Sequence, residues 1–151
     1  MGTYAASTGV PSDKSVAEIK QTLMRYGAEQ FAYMESAREA VVAFVVNGWQ
    51  VRFVLPLPDR HDEEFTHHSR GPRLPEAAER AYEQAIRQRW RALALVIKAK
   101  LEAVESGIVS FEQEFAMHTI LPGGGSVYDV VIPAMREAYE TGGPMVLQIG
   151  A

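Results

Sequence analysis

Apolar residues in the segment 75–106 recur at helical spacing. Tyr82, Ile86, Trp90, Leu93, Ile97, Leu101 and Val104 share one face when successive residues turn by about 100°. Arg80, Arg87, Arg91 and Lys98 fall within roughly 20° of a second line, about 110° from the first. The pattern predicts one long helix with a wide apolar face and a narrow basic ridge. Pro75 suits its first turn, Glu76 and Glu79 complement the positive end of its dipole, and Gly107 stops it.

Upstream, Val16, Ile19, Leu23 and Tyr26 keep the same period, Ser15 and Glu18 have capping-box spacing, and Gly27 suits a C-cap. A helix over 16–26 follows. The period then shifts to two, predicting strands over 29–35, 40–46 and 49–55. Asn47-Gly48 marks a hairpin between the last two, because a type I′ turn needs positive φ at both positions. The second strand is almost continuously apolar and is expected to be buried on both faces. Residues 56–74 hold prolines, histidines and mixed charge without a period, and read as a long loop that is functional or disordered. Ser110 with Gln113 opens a short helix over 111–118 that offers Phe111 and Phe115 to the core. Leu121-Pro122-Gly123-Gly124-Gly125 reads as a hinge, and Ser126 caps a last helix to about 140, interrupted near Pro133.

The expected fold is therefore α+β: a three-stranded antiparallel meander packed on one long helix, with short flanking N- and C-terminal helices. Residues 1–13 read as a disordered lead, 14–143 as a single domain, and 144–151 as an apolar tail. Between Ala92 and Ile97 the long helix is apolar almost all round, more than one sheet can cover, which predicts a homo-oligomer with the long helix or the tail at its interface.

Composition narrows the function classes. The chain has 151 residues, 47% hydrophobic and 23% charged, enough for one packed domain. No apolar run approaches the roughly 18 residues of a membrane span, so no membrane partner is expected. The absence of cysteine removes disulfides, thiol nucleophiles and thiolate-bound zinc together. The net charge of −4 counts against a non-specific nucleic-acid binder, yet the stretch 70–100 has a clear excess of Lys and Arg over Glu.

The ridge of Arg80, Arg87, Arg91 and Lys98 is the candidate nucleic-acid-binding surface. A solvated helix face flanked by Glu83, Glu102 and Glu105 accounts for the same residues. Arg89 projects into the apolar arc between Ala85 and Val96, where a buried pair with an acidic residue is expected. His61, His67 and His68, with Asp59, Asp62, Glu63 and Glu64, supply metal-ligand residue types but no diagnostic spacing, and a solvated loop is the expectation. His118 reads as an ordinary boundary histidine. The third strand, Trp49-Gln50-Val51-Arg52-Phe53, lacks the carboxylate that restriction-type nucleases need for their metal. Gly123-Gly124-Gly125 lacks the Gly-Lys-Ser/Thr ending of a phosphate loop. No catalytic residue, metal or cofactor is assigned, and the chain reads as a binding protein rather than an enzyme.

Three segments carry a likeness. Residues 25–28 read Arg-Tyr-Gly-Ala and 51–59 read Val-Arg-Phe-Val-Leu-Pro-Leu-Pro-Asp. Residues 87–102 read Arg-Gln-Arg-Trp-Arg-Ala-Leu-Ala-Leu-Val-Ile-Lys-Ala-Lys-Leu-Glu. Together they resemble a group of uncharacterised bacteriophage- and prophage-encoded proteins. The resemblance carries over no functional residue. It implies a phage or mobile-element origin, a cytoplasmic setting in a bacterial host, and service in DNA replication, recombination or host takeover. Nucleic acid is the expected partner, and a host or phage protein is the alternative.

Overall fold

The computed structural model describes residues 11–147. Helix α1 (Asp13–Tyr26) leads into strands β1 (Gln30–Glu35), β2 (Glu39–Val46) and β3 (Trp49–Pro56), which form an antiparallel sheet in the order β1-β2-β3. A short helix α2 (Glu63–Thr66) and a two-stranded ribbon, β4 (His67–His68) with β5 (Gly71–Pro72), precede the long helix α3 (Pro75–Glu105). Helix α4 (Phe111–Phe115), a 3-10 turn (Ala116–His118) and helix α5 (Val127–Thr141) complete the order. The α+β meander on one long helix is the architecture observed.

Local chemistry explains most element ends. Asn47 and Gly48 take φ of 52° and 80°, and the hairpin register sets Val46 opposite Trp49. Gly27 closes α1 at φ 103°, which lets its N–H reach Met24 O at 3.1 Å while Ala28 N–H reaches Leu23 O at 3.0 Å. Ser110 with Gln113 and Ser126 with Asp129 both form reciprocal capping boxes. The expected box at Ser15 and Glu18 does not form. Helix α1 starts earlier, after Ser12, whose buried hydroxyl donates instead to Glu35 Oε2 at 3.3 Å. So Ser12 and Asp13, read as part of the lead, belong to the domain, while the rest of that lead up to residue 10 and the tail from residue 148 lie outside the described residues.

One face of the sheet builds the core. Ala40, Val42, Phe44 and Val46 of β2 are buried beside Val51 and Phe53 of β3, and the register sets Phe44 opposite both Phe31 and Val51. Ile86, Trp90, Leu93, Ile97 and Leu101 of α3 close over this layer, with Val16, Ile19 and Leu23 of α1 beside them. Burial of each such side chain is worth roughly 1.5–3 kcal/mol, against about 0–1 kcal/mol for an exposed ion pair. The apolar stripe therefore fixes how α3 is turned, and the ridge follows from it. Phe115 packs edge-on to Phe44 at 6.0 Å and stacks with Phe111 at 4.9 Å, bringing α4 onto the same core.

Three expectations change in the structure. Strand β2 is fully buried on one face only: Val41, Ala43 and Val45 on its other face are half-buried. The segment 56–74 is not structureless. Its α2 turns Phe65 into a buried position edge-on to Tyr82 at 5.6 Å, and Arg73 Nη1 donates to Glu64 and Phe65 carbonyls. The glycine run is a closed turn rather than a hinge, with Leu121 N–H on Gly125 O at 2.9 Å and Gly124 N–H on Leu121 O at 3.0 Å. Beside it, Thr119 and Ile120 add to the β3 edge, Ile120 N–H reaching Gln50 O at 2.8 Å.

Candidate nucleic-acid interface

With α3 turned by its apolar stripe, Arg80, Arg87, Arg91 and Lys98 are all exposed on one side of it. A rise of about 1.5 Å per residue spreads them over roughly 27 Å. Arg87 reaches Gln84 Oε1 through Nε at 3.3 Å and Nη2 at 3.2 Å, a neutral partner that leaves its charge unbalanced. The ion pairs among the described residues lie elsewhere, Arg60 with Glu79 and Lys100 with Glu114, so none of the four ridge cations is neutralised within them.

Helix α1 runs alongside and turns part of the ridge into a groove. Lys14, Ser15, Glu18 and Thr22 face Arg91, Ala94, Leu95 and Lys98 across a space of about 260 Å³. The groove continues for about 530 Å³ between Thr22, Arg25 and Tyr26 and the end of α3 at Leu101, Glu102 and Glu105. In its first part Lys14, Arg91 and Lys98 outnumber Glu18. In the second, Glu102 and Glu105 offset Arg25 and Lys98, and burial followed by the nearby Glu105 and Glu112 charges pushes the Tyr26 phenol above its ordinary range. The cationic surface thus ends near Lys98. Sequence periodicity missed Lys14 and Arg25, although both fall within about 20° of one line on α1, since only packing shows which helix lies beside the ridge.

The remaining candidates separate. Arg89 is exposed and forms no ion pair among the described residues, which corrects the expected buried pair. The arc between Ala85 and Val96 faces solvent, because the core contacts centre on Trp90 and Leu93. His61, His67 and His68 are exposed, and their loop uses them locally. His67 Nδ1 shares a hydrogen bond with Thr66 Oγ1 at 2.8 Å, and His68 Nδ1 accepts from Arg70 N–H at 3.0 Å. No three His, Asp or Glu side chains converge among the described residues. His118 stacks on Phe53 at 4.2 Å, and burial, helped by Lys100, lowers its pKa against an opposing Glu114 charge.

A larger cleft of about 730 Å³, invisible to sequence periodicity, opens between the β1–β2 turn, the exit of β3 and the start of α3. Glu35, Arg38, Asp59, Arg60, His61, Glu79 and Tyr82 line it. Arg60 lies over the Tyr82 ring at 4.4 Å and pairs with Glu79, so part of its charge is already satisfied. Glu35 accepts the Trp90 indole N–H at 2.9 Å. The Arg60 contacts tie the loop to α3, and the Glu35 contact ties β1 to it.

Guanidinium and ammonium groups held without acidic partners bind phosphate oxygens, Arg through two parallel N–H donors and Lys as a point charge. That is what the ridge can do chemically. No protein-family model matches the chain, and neither the curated proteins nor the solved structures compared with it gave a match.

Proposed function

We propose that this chain is a non-enzymatic accessory protein, of phage or prophage origin and acting in the cytoplasm, that binds a nucleic-acid backbone along α3. One observation carries the reading: Arg80, Arg87, Arg91 and Lys98 stand exposed in a line without an acidic partner among the described residues, and Lys14 joins them from α1. The line of roughly 27 Å corresponds to about eight nucleotides at about 3.4 Å of axial rise per strand residue. The test is fluorescence anisotropy with labelled single- and double-stranded DNA and RNA, comparing the wild type with the double variant Arg87→Glu, Arg91→Glu. Reversal replaces attraction to phosphate with repulsion, so binding is expected to vanish. Folding stability should change by no more than about 1 kcal/mol, because the replaced groups are exposed. Equal affinity of the two proteins sinks the ridge as the site.

A second reading rests on Leu95, which lies in the same groove and is 60% exposed. An apolar side chain among cations suits an acidic amphipathic helix of a host or phage protein. Absence of binding across the whole nucleic-acid panel favours this reading.

A further inference from the structure

Among the described residues, two largely apolar faces are incompletely covered. The first is the outer face of the sheet. Where an antiparallel sheet meets solvent its outward positions are ordinarily polar. Here the middle of the face is apolar, with Ala32 and Met34 on β1, Val41, Ala43 and Val45 on β2, and Val54 on β3, while Arg52 stands beside Ala43 and Gln30, Glu39 and Gln50 lie at the margins. Met34 and Val54 are 58% and 50% exposed.

The second is a stripe on α5. Val127, Val131, Ala134 and Ala138 form the side that packs toward the 3-10 turn, and Ala134 is buried. Tyr128, Ile132, Met135 and Tyr139 lie about 90° further round, at the i, i+4, i+7, i+11 spacing of a helix that docks on an apolar surface. Tyr128 and Tyr139 are 49% and 86% exposed. The polar side of α5 carries Asp129, Glu137 and Glu140 against one cation, Arg136.

We infer that a second copy of this chain covers these faces, each α5 stripe seating on the outer sheet face of the other copy about a two-fold axis. Relief and charge both match. Ala32 and Ala43, opposite each other in register, set two small side chains side by side, with Met34 and Val41 on one flank and Gln30 and Val45 on the other, where the tyrosine and isoleucine side chains would seat. Arg52 on the sheet meets the acidic margin of the incoming helix, as it already lies close enough to its own Asp129 to help lower that carboxyl's pKa, behind the larger effect of the Ser126 hydrogen bonds.

The area is sufficient. Taking about 200 Å² for an aromatic side chain, the two tyrosines leave about 270 Å² open in each chain. Covering them hides an equal area of sheet, and the two-fold uses the contact twice. The tyrosines and the sheet that they cover therefore account for about 1,100 Å² of the roughly 1,200–2,000 Å² of a stable interface, and Ile132 and Met135 with the sheet beneath them add to it. The outer sheet face lies opposite α3, so the pairing leaves both basic ridges open.

Light scattering on the full chain at tens of micromolar tests this. The wild type is expected at twice the 16.7 kDa of one chain. Tyr139→Glu and Met34→Glu are each expected at the single-chain mass with unchanged circular dichroism, and Val54→Glu replaces the second should it misfold. Mixing the two monomeric variants restores one intact contact and is expected to recover part of the dimer. Because the chain has no cysteine, Tyr139→Cys protein mixed with Val54→Cys protein gives an unambiguous cross-link between copies under a short bismaleimide. A monomeric wild type, a dimer indifferent to either charge substitution, or Tyr139→Cys cross-linking only to itself overturns the proposal.

Discussion

The indole of Trp90 is fully enclosed, meets Tyr33 edge-on at 6.2 Å, and donates to Glu35 Oε1 at 2.9 Å. Both partners sit on the inward face of β1, so this residue fastens α3 to the first strand. Trp90→Ala removes the ring and leaves the Glu35 carboxylate without its indole donor, and is expected to cost about 3–5 kcal/mol in a chemical denaturation experiment. A loss below about 1 kcal/mol would mean that the ring is not the anchor described. His118 gives a pH test. Its folded-state pKa is held below the usual imidazole value of 6.5, chiefly by burial. Between the two values the unfolded chain binds more protons, so stability rises with pH. The contribution is complete above about 6.5 and is lost as pH falls through the folded-state value. The thermal midpoint is therefore expected to drop from pH ~7.5 to ~5.5. His118→Gln should flatten that drop while lowering the upper plateau through lost stacking on Phe53. An equal slope in both proteins refutes the assignment.

Among the elements, α3 and α5 are stabilised in different ways. Helix α3 is held by a stripe of buried side chains from Ile86 to Leu101, so substitutions at its exposed positions should leave its helicity intact. Helix α5 buries only Ala134 fully among its residues and depends more on its ends. Ser126 Oγ accepts the Asp129 N–H at 3.2 Å, and Asp129 Oδ2 accepts the Ser126 N–H at 3.1 Å. Ser126→Ala should cost about 1 kcal/mol, read as a lower thermal midpoint with fraying in far-ultraviolet circular dichroism. Ser110 starts a helix anchored by buried Phe111 and Phe115, so the same substitution there should fray its helix less. Equal fraying at the two sites would contradict this contrast.

For the molecule as a whole, the ridge makes a quantitative claim on salt dependence. Four cations that each neutralise one phosphate give a log–log slope of about −3.6 on duplex DNA and about −2.8 on a single strand. A titration of affinity against salt checks it, and a slope near zero removes the electrostatic basis of the proposal. The elements themselves were legible in the sequence because their causes are local. Period 3.6 gave α3 and α1, period two gave the strands, Asn47-Gly48 gave the hairpin, and Ser110 and Ser126 gave two helix starts. The basic line of α3 was legible for the same reason, since a helix fixes the angle between its own residues. What needed the tertiary structure was every fact that depends on which surfaces meet. Helix α1 begins after Ser12 rather than Ser15, and the Ser12 hydroxyl goes to Glu35, 23 residues away, and not to the helix end. Arg89 is solvated because the core contacts centre on Trp90 and Leu93, a choice that the wide apolar arc left open. Lys14 and Arg25 reach the ridge because α1 packs along α3. Among the described residues the outer face of β2 is only half-buried and the tyrosine stripe of α5 largely exposed, because the helices pack on the opposite side of the sheet or at the 3-10 turn. A residue's periodicity fixes the direction in which it points relative to its neighbours in sequence, and only the assembled fold decides what it finds there.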